Sequence, residues 1–524
     1  MLLLPHVAMA AVAAAPTPRG ILFFLADDMG QWAAEPYGNS EIITPTLTRL
    51  SKEGTTFTNA VCNTPVCSAS RASLLTGRVP SQHGVHDWLS GGNGCAQRSI
   101  NFTDRETFYT DVLAEHGSFK ALGLSGKYHL GNSPMARHGF NWWRFVHQSG
   151  GGSYIEPPMV VNGSCVTLKG YITDMIADDA IRFVQAHARD RAPWYLGVHF
   201  TSPHAPYVGS DGTAASMHPP HIVAQYANTP FHSVPDLPFD SENYTDSSFA
   251  GCFSGAGRSE CLKGYFAAVT AMDAAIGRVL DAVEASRVLD QTIVIFTSDH
   301  GFNTGHHGLW GKGNGAWPLN MVETSLKVPL FFRWPQGGIA VGARIHERVQ
   351  HVDFAPTLLE LAGVGAALPR QAGSSYAALL LNASFAAPFD SLEHAAAQIG
   401  STGTQPAPTL TASLAPSFHE FGGTRAVRAP IDGVPYKLIA RFDGRDELYN
   451  LQDDPGETDC LFAREAIGNA VVAARLRRLL MSWFDLRRDP FRTGWERPVT
   501  GKGQNDVAVF GVSVPVVPFQ PLYG

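Results

Sequence analysis

The sequence predicts an α/β protein, a large and mostly parallel sheet covered by helices, with a smaller α+β domain at its C-terminal end. Short apolar runs alternate with longer stretches of helical periodicity over residues 20–390, the order that a parallel sheet with crossover helices requires. Beyond the Ala-, Gln-, Thr- and Pro-rich stretch Glu393–Pro416, closely spaced short runs and one amphipathic pattern follow. With 44% hydrophobic and 16% charged residues among 524 and a mean hydropathy of -0.05, the chain is neither disordered nor a multi-span membrane protein, and it has core enough for two domains.

In order, residues 1–16 open with an apolar run ending in small residues. It lacks a basic start, suits an export signal or an N-terminal tail, and is too short to span a membrane. Ile21–Leu25 is the first strand. Thr44-Pro45, a cap followed by a first-turn proline, starts a helix that Gly54 stops. Strands follow at Ala121–Leu124, Trp194–Phe200, Thr292–Phe296 and Val328–Phe332, with helices over Gly170–Arg189, Tyr265–Val288 and Asp353–Leu361. Ser202–Cys261, rich in Pro, His, Ser and Gly, lacks periodicity and reads as a functional surface loop. The larger domain is thus 17–390. The smaller, 391–524, has strands at Thr424–Val427, Tyr436–Ile439 and Glu447–Asn450 and a closing helix over Ala463–Leu486.

Thirty-nine basic against 46 acidic side chains leave a net charge of -7 with no basic block, which argues against a general nucleic-acid binder. Any anion site must therefore be built locally. The seven cysteines are odd in number, so at least one is unpaired or modified. Cys252 and Cys261 are placed to close a short loop, and the absence of a CxxC pair argues against a zinc ribbon. Sequons at Asn101, Asn162, Asn243 and Asn382 are compatible with a secretory route.

In open α/β sheets ligands collect beyond the carboxyl ends of the strands. The first strand ends in Asp27-Asp28, and a later one in Asp299-His300. Acids gathered at buried strand tips repel unless a cation sits between them, and a divalent ion with oxygen ligands is the common remedy. A lone Asp-Asp is more often a cap or a solvated turn; two such strand ends together favour the metal. Lys127 and His129 follow the Ala121 strand, His204 follows the Trp194 strand, and Lys312 lies downstream of Asp299. Singly each is an ordinary surface or core residue. Converging beside a metal, they make a positive pocket for a small oxyanion. In the run from Pro65 to Arg78, Cys67 would open a helix, where free N–H groups and the dipole favour anions, with Arg71 one turn on. The plainer alternative is a Cys62–Cys67 disulfide.

On these residues the chain resembles the formylglycine-dependent sulfatases of the alkaline phosphatase-like superfamily. The matching segments are Asp27-Asp28, Cys67 to Arg78, Gly126 to His129, Pro203-His204, Thr297 to Gly301, Gly308 to Lys312, His351 to Gly363 and Glu447 to Glu457. Ala69 stands where the modification motif more often has proline. The resemblance implies a sulfuric ester hydrolase with a catalytic domain at 17–390, acting on a sulfated carbohydrate or an aryl sulfate; the secretory route is expected from residues 1–16 and the sequons. It implies that a formylglycine-generating enzyme oxidises Cys67 to formylglycine, and that Asp27, Asp28, Asp299, His300 and the group at Cys67 hold one calcium or magnesium ion. Arg71, Lys127 and Lys312 would then bind the sulfate, His204 or Lys312 would protonate the departing alcohol, and His129 would take the proton that lets sulfate leave. Val85–Asn93 and Pro203–Pro238 are expected to line the pocket. A phosphonate or phosphate ester hydrolase could use the same residues, and an unmodified Cys67 would leave a non-catalytic binding protein.

Overall fold

The computed structural model describes residues 16–89, 106–365 except 132–133, 148–149, 239–246 and 254, 368–388 except 383–386, 415–495 except 465–466 and 489–491, and residues 499, 503 and 504. The expected N-terminal signal, Cys95, the sequons at Asn101 and Asn243, and the boundary at 390/391 lie outside these residues.

Strands β1 (Gly20–Ala26), β2 (Thr55–Phe57), β3 (Ala121–Lys127), β4 (Trp142–His147), β5 (Pro158–Val161), β6 (Ser164–Thr167), β7 (Trp194–His199), β8 (Thr292–Ser298), β9 (Leu330–Arg333), β10 (Ala343–Ile345) and β11 (Ala387–Pro388) form one sheet. Their order is β11-β10-β2-β9-β8-β1-β7-β3-β4-β5-β6. The central strands β8, β1, β7, β3 and β4 are parallel, and β9 joins β8 antiparallel. Every residue of β1 is buried because both faces of the sheet are covered, which is why the strand reads as a continuous apolar run. On one face Ile21, Phe23 and Leu25 share a core with helices α2 (Cys67–Thr76) and α5 (His351–Leu361). On the other, Leu22 and Phe24 pack with α1 (Pro45–Glu53), α3 (Ile172–His187) and α4 (Gly255–Ala285).

The C-terminal sheet, β12 (Ser417–Phe421), β13 (Thr424–Ile431), β14 (Val434–Arg441) and β15 (Glu447–Asn450), is an antiparallel meander. Helix α6 (Ile467–Asp485) lays Leu476, Leu480 and Phe484 on Val427, Leu438 and Leu448. Two sets of bonds join this unit to the large sheet. The Glu420 N–H donates to the Asn63 carbonyl (2.9 Å), Asn63 Nδ2 donates to the Phe418 carbonyl (2.8 Å), and His419 Nδ1 lies 2.8 Å from the Cys62 carbonyl. Glu323 receives Arg428 at 2.6 Å and Lys437 at 3.1 Å, and Lys437 also reaches Glu457 at 2.7 Å.

Most predicted elements stand within two or three residues of their expected limits. Helix α4 is a correction: it begins at Gly255, inside the stretch read as loop, and a Cys252–Cys261 disulfide ties its first turns. That loop also holds short helical turns at Ala214–Ser216, Pro220–Val223 and Ser247–Cys252. Cys62 and Cys67 are both free thiols, so the Cys62–Cys67 bridge is not formed. Among the described residues no helix is long and apolar enough to cross a membrane.

Candidate active site

The parallel register sets the site. Ala26 of β1 pairs with Ser298 of β8, so the residues that follow, Asp27 and Asp299, emerge side by side. Asp28 then adopts φ 69°, an uncommon conformation for a residue with a Cβ, and its N–H donates to Asp299 Oδ1 at 3.2 Å. Lys127 ends β3, two strands from β1, and donates to Asp27 Oδ2 at 2.6 Å. Cys67 is the first residue of α2, whose N-terminus carries no side-chain cap.

The ligand atoms of Asp27, Asp28, Cys67 and His300 all lie within 4.8 Å of one another, and all four residues are buried. His300 Nε2 is 3.2 Å from Asp28 Oδ1 and 3.4 Å from Cys67 Sγ. Lys312 Nζ lies 2.7 Å from Asp28 Oδ1 and 2.9 Å from the same sulfur. Asp299 stands just outside this set: its Oδ1 is 3.4 Å from His300 Nε2, while its Oδ2 accepts Arg71 Nε at 3.0 Å. Arg71 Nη1 donates to the Lys127 carbonyl at 3.1 Å, and its buried Nη2, 3.6 Å from Asp27 Oδ1, has no hydrogen-bond partner.

The charges fix one another. Burial alone would raise the Asp27 carboxyl, but Lys127, His204 and Arg71 hold it down at about 2. Burial carries Asp299 up to about 7 against the pull of His300 and Arg71. Burial opposes a Cys67 thiolate, yet Lys127 and Lys312 keep the thiol well below its ordinary value. His300, despite burial, is raised to about 9 by Asp299 and Asp28.

The two remaining histidines are set in opposite senses. His129 Nε2 is 3.1 Å from the Leu89 carbonyl, so Nε2 carries the proton and Nδ1, which has no hydrogen-bond partner in good geometry, is the acceptor; the ring also interacts with the Cys67 thiol. Burial lowers this imidazole to about 4 and keeps it neutral. His204 gives its Nδ1 proton to the Ala205 carbonyl at 2.7 Å and presents Nε2 3.8 Å from Asp28 Oδ2. Burial would lower it; Asp28 outweighs that and raises it. One ring is therefore poised to accept a proton and the other to give one.

The catalytic and metal-binding residues expected from the sequence are brought together here, Asp299 just outside the closest set, while residues 90–93 of the expected pocket lining lie outside the described residues. Sequence reasoning passed over Ser68 and Ser70 inside the cysteine motif. Ser68 Oγ donates to the His129 carbonyl at 2.9 Å and accepts the Leu89 N–H at 3.0 Å, while Ser70 Oγ bonds the Asp299 carbonyl and lies 3.1 Å from His351 Nδ1. Their signal was spacing: both stand beside a residue already singled out, on a helix buried all round.

A family model described as Sulfatase matches residues 19–364, most of the chain. This protein belongs to the sulfatase family. The sulfatase is 26% identical over 520 residues to an N-acetylglucosamine-6-O-sulfatase of Bacteroides thetaiotaomicron, covering 88% of this chain and 84% of that one. It is 28% identical over 376 residues to the human N-acetylgalactosamine-6-sulfatase, covering 67% of this chain and 63% of the relative. In fold it is similar to BT4656 in complex with its substrate D-glucosamine-2-N,6-O-disulfate, with a TM-score of 0.66 and 23% identity over 90% of this chain and 98% of the other. The protein is an enzyme of sulfate ester hydrolysis.

Proposed function

We propose that this sulfatase cleaves sulfate monoesters of carbohydrates, using formylglycine made from Cys67 and one divalent cation, calcium or magnesium. The observation that carries this reading is the four ligand atoms of Asp27, Asp28, Cys67 and His300 within 4.8 Å of one another. The donor set itself argues for the modification. Carboxylate oxygens select a hard cation and a thiolate a soft one, so an oxygen in place of the sulfur at residue 67 brings three of the four donors to the kind calcium and magnesium prefer, with the His300 nitrogen the exception. Asp299, bonded to the Asp28 N–H and beside His300, completes the anionic wall.

When present, a hydrated aldehyde held against the cation supplies an oxygen nucleophile near neutral pH and a second hydroxyl on the same carbon. The chain's own residues do the rest. Lys127 and Lys312 offset the negative charge of Asp27 and Asp28 and, with Arg71 Nη2, face the sulfate oxygens. His204 Nε2, or Lys312 Nζ, gives a proton to the departing alcohol, and His129 Nδ1 accepts one beside residue 67. A carbohydrate substrate is supported by the relatives, whose names specify sulfated amino sugars. The export route rests on residues 1–16 and the four sequons.

The test is a substrate panel on protein made in a host with the modifying machinery: glucosamine and galactosamine 6-sulfates, glycosaminoglycan and algal oligosaccharides, choline sulfate, nitrophenyl sulfate and a nitrophenyl phosphonate. Sulfate release from a sugar, with formylglycine in the peptide spanning residue 67, is the expected result. Full activity with only an alkylatable thiol at Cys67 would overturn the mechanism. Preference for the phosphonate would overturn the substrate class.

A further inference from the structure

Of the three glycines at 150–152, the first two lie against the two proton-transfer histidines. Strand β4 ends at His147, which pairs with Lys127 of β3. The chain is anchored again at Tyr154, whose hydroxyl donates to the His204 carbonyl at 2.9 Å and whose carbonyl accepts the Ile172 N–H at 2.9 Å. Gly150 lies over the ring of His129: a Cβ there would sit 2.8 Å from Nδ1 and closer still to Cε1 and Nε2. Gly151 lies over His204 in the same way, its Cβ falling 2.6 Å from Cε1, 2.7 Å from Nδ1 and 3.1 Å from Nε2. Gly152, at φ 147°, faces open space.

We infer that Gly150 and Gly151 are positioning residues, a bare backbone strap that holds the imidazoles of His129 and His204 in their working orientations. Each ring is tied at one nitrogen to a carbonyl, Leu89 for His129 and Ala205 for His204. That bond fixes the tautomer but does not by itself fix the tilt of the ring. The strap closes that freedom, and only glycine lets the backbone approach so near. Because the two rings are covered by different residues, the two positions separate kinetically. This assignment rests on the roles of His204 and His129 in the function proposed above. A methyl at 151 displaces the ring that protonates the departing alcohol, and a methyl at 150 displaces the ring that accepts a proton in the release of sulfate. A misplacement of about 1 Å costs on the order of 100-fold in such a site.

The experiment compares Gly150→Ala and Gly151→Ala with wild type on aryl sulfates of graded phenol acidity, by stopped flow and at steady state. Gly151→Ala should keep near wild-type rates on the most acidic phenol and fall at least about tenfold behind on the least acidic, the signature of a lost general acid. Gly150→Ala should show a burst of phenol followed by a steady rate at least about tenfold below wild type. Equal losses on every phenol with no burst, or no loss in either variant, would overturn the inference. Histidine-labelled nitrogen NMR decides independently of turnover. Gly150→Ala should move the His129 ring signals alone and Gly151→Ala those of His204 alone, and unmoved signals would refute the strap. Should either alanine fail to fold, Tyr154→Phe, which cuts the tie to the His204 carbonyl, should reproduce the Gly151→Ala trend in weaker form, and a wild-type leaving-group dependence there would count against it. If wild type turns over no sulfate at all, the functional reading falls, and the ring signals still decide the positioning.

Discussion

Lys437 is fully buried between two carboxylates, 2.7 Å from Glu457 and 3.1 Å from Glu323. Lys437→Met would remove the ammonium and keep the stem. Glu323 would retain Arg428 at 2.6 Å, while Glu457, already raised by burial, would be left with the Glu323 N–H at 2.6 Å. An orphaned buried charge costs about 3–5 kcal/mol. Glu457 escapes part of that by taking up a proton, and at pH 7 this costs about 3 kcal/mol for a carboxyl whose ordinary value is 4.5. The loss is therefore limited to about 3 kcal/mol at pH 7 and to under about 1 kcal/mol at pH 5. The sign follows from a folded-state pKa raised above the unfolded one: protonated Glu457 favours the fold at low pH, and that benefit vanishes as pH climbs. If the chain unfolds cooperatively, the shift in Tm relative to wild type is about 3 °C at pH 7. Differential scanning calorimetry of both proteins at pH 5 and pH 7 tests this, with Lys437→Met/Glu457→Gln expected to recover most of the loss. A deficit equal at both pH values would refute the reasoning.

Cys67→Ser should turn over at most once and retain an adduct of about 80 Da on the introduced serine, because a serine carbon has no second hydroxyl to expel sulfate; sustained turnover would show the modification to be dispensable. Exhaustive chelation, or Asp28→Asn, should abolish activity and lower Tm, since the gathered carboxylates lose their counter-ion. Undiminished activity with no calcium or magnesium by elemental analysis would rule the metal out. His419 is held neutral by burial, its pKa lowered to about 3, so it contributes stability that is lost as pH falls below its ordinary value of 6.5. His419→Gln should flatten the decline in stability between pH 6 and pH 4 by up to about 1.4 kcal/mol per pH unit, and an unchanged slope in denaturant titrations would contradict this.

The strands that carry the site were legible because burial on both faces makes them continuous apolar runs, and because the polar residues at their tips, Asp27, Asp28, Asp299 and His300, break those runs abruptly. Strands β4 to β6 were not. They form the sheet edge, where residues such as Arg144 and Ser164 are exposed and the apolar signal is diluted. The start of α4 was hidden by Gly255 and Gly257, poor helix formers in a first turn that the Cys252–Cys261 disulfide ties down. Within the site, sequence reasoning found the groups that carry charge and missed those that hold them. Ser68, the Leu89 carbonyl and Gly150-Gly151 have ordinary chemistry, and their importance lies in where the fold puts them.

The bonds from Glu420, Phe418 and His419 to Cys62 and Asn63 also order events in time. The segment that leads into α2, at whose first residue Cys67 is 2% exposed, is bonded to a strand made some 350 residues after it. At roughly 5–20 residues per second of synthesis, the cysteine exists for about 20 to 70 seconds before the strand that bonds Cys62 and Asn63 has been made. In the finished fold that sulfur is only 2% exposed, so a modifying enzyme has its readiest access within that interval, and any delay in making the strand would lengthen it.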